Sequence, residues 1–210
     1  MENKTPARPN AITTVTVYAA SSGAISKGYF EAASRVGLAL ASGGISVVYG
    51  GGSTGLMGAV ADAALAAAGT VHGIVPRFLK ELEVSHGNLT SLTVVDDMRE
   101  RKHLMIEKSD AVIALPGGCG TYEEVFEALT LKRLGQWLGP IVLLNTNGFY
   151  DRLNGFLRHA VDERFMDRRH LDMWTVVDEP DDVIPALRDA PRWSEEALSF
   201  ATSHAAMAES

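Results

Sequence analysis

Short apolar runs recur along this chain, each followed by a longer stretch of helical period. That alternation constrains the fold more than any other feature. The runs are "ITTVTVYAA" (12–20), "ISVVYG" (45–50), "TVHGIVP" (70–76), "LTVVDD" (92–97), "AVIALP" (111–116), "PIVLLN" (140–145) and "MWTVV" (173–177). Helices are predicted over 27–42, after "GGSTGLMG" to about Ala68, near 98–108, from about Thr121, near 149–163 and near 180–189. Residues 77–90 read as irregular and polar. Strand–helix repeats build βαβ crossovers and hence parallel strands. The runs are apolar throughout, as strands covered on both faces should be. The expected class is α/β, with about seven mostly parallel strands and helices on both faces.

A length of 210 residues suits a single domain, with 1–10 and about 195–210 as loose tails. The 46% apolar and 21% charged residues are enough for a real core. A formal net charge of -7 argues against non-specific binding of nucleic acid or anionic membrane. Any bound anion must then be held by backbone N–H groups and a few aimed cations. Cys119 is the one cysteine, so no disulfide forms within the chain. With no leader-like apolar segment and no run approaching a membrane span, a cytoplasmic protein is expected.

Two glycine-rich segments follow strands, at the edge where open parallel sheets bind ligands. Gly50, Gly52 and Gly55 in "GGGSTG" match G-x-G-x-x-G. The match follows the second strand, and the next strand ends "GIVPR" without the acid a dinucleotide ribose needs. A tight turn with close helix–sheet packing explains it as well. "PGGCGT" (116–121) is the stronger candidate, because glycines at a helix N-terminus let backbone N–H groups approach an anion. Thr121 and Glu124 also match a T-x-x-E capping box, which alone explains both residues.

Helical spacing brings in the charged residues. Glu123, Glu127 and Thr130 share one stripe, while Glu124 shares another with Ala128 and Leu131 and points to the apolar side. In "DDMRERKHLMIEKSD", Arg101 and Lys102 fall within the stripe of Met98, Met105 and Ile106. Inward charges are costly unless paired or bound to something. A substrate site and a structural Arg101–Glu124 salt bridge both satisfy that condition, and Lys102 has the further option of snorkelling. The six histidines show no metal-ligand spacing. Cys119 reads as a bystander, and "MDRRH" (166–170) as a solvated basic cluster.

"YGGGSTGLMGAVADAALAAAGTVHGIVP", "DDMRERK" and "ALPGGCGTYEEVFEALT" together resemble the LOG (Lonely Guy) family over roughly residues 12–180. Its members are cytokinin riboside 5′-monophosphate phosphoribohydrolases, many once labelled lysine decarboxylases. The resemblance implies a Rossmann-like, doubly wound fold, a homodimer, a nucleoside 5′-monophosphate substrate, and no metal or redox cofactor. It places the catalytic pair on Arg101 and Glu124 and the phosphate loop on Gly117, Gly118, Gly120 and Thr121. It adds Lys102, Glu83 and Thr130 as substrate contacts. The sequence departs from the family pattern in three places. "AASS" replaces C-G-S-S, Arg99 replaces the histidine of M-H-x-R-K, and "TLKRLG" replaces T-W-x-Q-L-G. These departures leave base preference open. The implied reaction cleaves an N-glycosidic bond to free base and ribose 5-phosphate. Two alternatives stand beside it: a broad nucleosidase acting on AMP and other 5′-monophosphates, and a non-catalytic nucleotide or molybdenum-cofactor carrier. Decarboxylation is set aside, since no lysine is marked for a Schiff base.

Overall fold

β-Branched and small apolar residues dominate the strands, and in the computed structural model every strand pair is parallel. Residues 12–82, 86–191 and 193 are described. The two predicted tails lie outside them. The strands are β1 (Thr14–Tyr18), β2 (Ser46–Tyr49), β3 (Val71–Pro76), β4 (Ser91–Val95), β5 (Ala111–Ala114), β6 (Ile141–Leu144) and β7 (Thr175–Val177), in the order β4-β3-β2-β1-β5-β6-β7. The chain winds outward from β1 to β4, then returns to lay β5 against β1. The order reverses there, and a crevice opens beyond the C-terminal strand ends at such a switch point.

Between the strands run α1 (Lys27–Ser42), α2 (Gly55–Ala66), α3 (Arg77–Leu82), α4 (Met98–Glu107), α5 (Cys119–Arg133), α6 (Asp151–Asp162) and α7 (Val183–Asp189). Side-chain alternation along β1 divides the core in two. Val15 and Val17 join the cluster under α1, α2 and α7, while Tyr18 joins the cluster under α4, α5 and α6. The buried Thr16 hydroxyl lies 2.7 Å from the Met105 carbonyl and 2.8 Å from Ser109 Oγ, which fastens the end of α4 to the central strand. The segment expected to be irregular after β3 contains the six-residue helix α3.

Candidate active site

Local rules set up the loop at the β5–β1 switch point. Leu115 N–H donates to Tyr18 O at 2.9 Å and Ala20 N–H to Pro116 O at 3.2 Å, so the chain after β5 stays beside the chain after β1. Gly118 then takes the extended conformation of an N-cap, and α5 starts at Cys119. Thr121 therefore lies inside the first turn, buried against Gly117, where any Cβ would come within 2.1 Å of Thr121 Oγ1. The capping box that stood as the alternative does not form: no side chain caps α5, and its first turn carries no acid. A Cβ at Gly118 or Gly120 would meet nothing within 4 Å. The helix thus presents backbone N–H groups and the positive end of its dipole at an unobstructed loop.

The other glycine segment is occupied by its own fold. Leu56 N–H and Met57 N–H, at the start of α2, both donate to the Ala20 carbonyl, at 2.8 and 3.3 Å. Gly55 has φ +62, and a Cβ there would lie 2.5 Å from Ala20 O. These donors are spent on the neighbouring loop, so "GGGSTG" is a packing joint and not a pyrophosphate seat.

A capping arrangement does form at α4, where Asp97 and Glu100 carry the D-x-x-E spacing of a helix start that sequence reasoning passed over. Asp97 accepts from Glu100 N–H at 2.9 Å, and Glu100 accepts from Asp96 N–H at 2.9 Å. It fixes the start of α4 and turns Arg101 and Lys102 inward, where both are at most 9% exposed. Arg101 Nη2 stands 3.5 Å from Glu124 Oε1, and Glu124 is itself buried. Arg101 Nη1 leans on Met98 Sδ at 3.6 Å, while its buried Nε has no partner. Burial raises the Glu124 carboxyl to a pKa of about 7, against a smaller opposing pull from Arg101. Desolvation therefore outweighs the ion pair here. The Tyr18 phenol, at the end of β1, is held well above its ordinary pKa by burial and then by the charge of Glu124. Sequence reasoning passed over Tyr18; its one signal was an aromatic residue ending a buried strand.

Lys102 does not snorkel. Its ammonium binds Glu123 and lies 2.9 Å from Glu127, the two acids of the outer stripe. Burial pulls its pKa down, but these bonds outweigh that and the net shift is upward. Thr130 stands on the exposed side of α5, with its hydroxyl on the Phe126 carbonyl at 2.7 Å. Six residues of helix put it about 9 Å along the axis from Glu124. Glu83 lies outside the described residues. Cys119 is exposed at the first position of α5. In the "MDRRH" segment Arg168 and Arg169 are exposed as expected, but His170 is buried. Among the described residues, no group of three or more His, Cys, Asp and Glu could hold a metal ion. No helix of the described residues is long and apolar enough to cross a membrane.

The sequence and fold have known counterparts. A family model described as "Possible lysine decarboxylase" matches residues 57–187. A cytokinin riboside 5′-monophosphate phosphoribohydrolase of Rhodococcoides fascians is 48% identical over 139 residues, which is 66% of this chain and 70% of the relative. One of the same name from Mycobacterium tuberculosis is 39% identical over 173 residues, 82% of this chain and 92% of the relative. Among solved structures, the molybdenum cofactor carrier protein of Chlamydomonas reinhardtii has a TM-score of 0.66 at 21% identity, covering 85% of this chain and 98% of that one. At that identity the likeness is one of fold.

Proposed function

The chain belongs to the LOG family of cytokinin riboside 5′-monophosphate phosphoribohydrolases, and on that premise we propose that it hydrolyses the N-glycosidic bond of a nucleoside 5′-monophosphate. The observation that carries this reading is the buried Arg101–Glu124 pair beside an uncapped helix N-terminus at the switch point. The 5′-phosphate sits on the first turn of α5, against Gly118, Gly120 and the backbone of Thr121. Binding energy spent there locates the distant reacting bond. Breaking the bond between C1′ and the base nitrogen leaves positive charge on the ribose, as in other glycoside cleavages. The Glu124 carboxylate stabilises that charge and takes a proton from the attacking water, whose oxygen bonds to C1′. The base leaves with the electron pair of the broken bond and picks up a proton. Arg101 orients the nucleotide. Lys102 holds Glu123 and Glu127 and so contributes to the same electrostatic setting.

The decarboxylase description of the family model fits these residues poorly. A pyridoxal phosphate enzyme needs an accessible lysine for a Schiff base. Lys102 is ion-paired to two glutamates. Lys132 has the lowered pKa of a buried amine, about 8, but its Nζ donates to Gly139 O at 2.9 Å and the side chain is enclosed. It also lies thirteen residues, about 20 Å, along α5 from the glycine loop.

The protein acts as a cytoplasmic homodimer in this reading, and light scattering at the mass of a monomer would remove the dimer. The deciding experiment measures base and ribose 5-phosphate released from AMP and from isopentenyladenosine 5′-monophosphate, with the free nucleosides as controls. Cleavage of the monophosphates alone supports both the reaction and the phosphate seat, and the rate ratio gives the base preference. Tight nucleotide binding without product would replace the reaction with a carrier role.

A further inference from the structure

Gly50 follows β2 and is buried, yet its backbone does not demand glycine. Among the glycines of this region only Gly51 and Gly55 have positive φ. What a side chain at position 50 would strike is the guanidinium of Arg101. A Cβ there would lie 2.0 Å from Arg101 Nη2 and 3.1 Å from its Cζ, with Met57 Sδ next at 3.3 Å. Nη2 is also the atom that faces Glu124, at 3.5 Å.

We propose that Gly50 is a positioning residue for Arg101, its bare α-carbon forming the floor on which the guanidinium lies beside Glu124. The inference rests on the role given to Arg101 above. Arg101 is held there by contact more than by hydrogen bonds. Nη1 touches Met98 sulfur, Nε has no partner, and Nη2 has only the Glu124 carboxylate at long range. A side chain so lightly bonded takes its place from the shape of its surroundings. A methyl group at position 50 evicts the guanidinium from that place, because the far end of a flexible side chain yields before the backbone does.

The test is a double-mutant cycle on the full chain: wild type, Gly50→Ala, Arg101→Ala and the double variant. Turnover of a 5′-monophosphate, AMP affinity and thermal midpoint are measured for all four. Gly50→Ala alone should lower kcat/KM at least tenfold, approaching Arg101→Ala. Added to Arg101→Ala, it should change kcat/KM and AMP affinity less than twofold. It should also lower the midpoint only while the arginine is present. Wild-type turnover in Gly50→Ala, or equal fold losses in both backgrounds, would overturn the proposal. Should Gly50→Ala fail to fold, recovery of a folded double variant supports the collision with Arg101, and an unfolded double variant refutes it. A wild type that binds AMP but releases no base would sink the proposed reaction, while the affinity cycle would still decide the role of Gly50.

Discussion

Replacing Glu124 with glutamine separates the stability of this fold from its chemistry. The buried Glu124 carboxyl has its pKa raised from 4.5 to about 7, chiefly by burial. A folded-state pKa above the unfolded one means that the folded protein prefers the protonated form. The associated stability is fully present below pH 4.5 and is lost as pH rises to about 7. At about 1.4 kcal/mol per pH unit, the loss is about 3 kcal/mol. Glutamine has nearly the shape of the protonated acid and never ionises. Glu124→Gln should therefore match the wild type at pH 4.5 and exceed it by up to ~3 kcal/mol at pH 8, or about 6–12 °C in Tm for a chain of this size. Turnover should fall by about 10²–10⁴ through loss of the general base proposed above. Urea titrations of both proteins at the two pH values, with initial rates alongside, test this. Other titrating groups are common to both proteins and cancel in the comparison. A variant less stable than wild type at pH 8 would refute the reasoning, because it would mean that the attraction of Arg101 outweighs the cost of burying the charge.

Four more outcomes are expected. The acid limb of kcat/KM should lie near pH 7, since the proposed mechanism uses ionised Glu124. Lys102→Met should move that limb to higher pH, because the ammonium lowers the Glu124 pKa while Glu123 and Glu127 raise it; a limb unmoved or moved downward would contradict this. Gly118→Asp supplies α5 with a side-chain cap in open space and should leave stability within about 1 kcal/mol, while raising KM for 5′-monophosphates at least about tenfold by repelling the phosphate. Unchanged KM would move the anion elsewhere. Thr16→Val removes the hydroxyl that joins Met105 O and Ser109 Oγ and should cost about 1–3 kcal/mol in denaturant unfolding.

The strands were legible because parallel, doubly covered strands must be apolar at nearly every position, as in "AVIA" of β5. The inward turn of Arg101, Lys102 and Glu124 was legible from helical period for a similar reason: a stripe is a local property of the chain. What escaped depended on backbone detail or on distant partners. α3 has only six residues, too few for a period to show. The capping spacing at Thr121 and Glu124 was present, but the extended backbone of Gly118 starts the helix at Cys119 and leaves that box without a role. The engagement of Lys102 with Glu123 and Glu127 joins two helices, and the contact of Gly50 with Arg101 joins two crossovers. Neither is written in local pattern.

The double acceptance at the Ala20 carbonyl makes the loops after β1 and β2 one mechanical piece, and it divides their evolutionary freedom unequally. On the β1 side the fastening atom belongs to the main chain, so the side chain at position 20 is not what holds the joint. A lineage can exchange glycine for alanine there and keep the joint intact. On the β2 side the same carbonyl oxygen lies 2.5 Å from where a Cβ at Gly55 would be, too close for any side chain, and drift at that position is closed. Side-chain variation therefore has room to accumulate at position 20 of "AASS", while Gly55 of "GGGSTG" stays locked by the oxygen beside it.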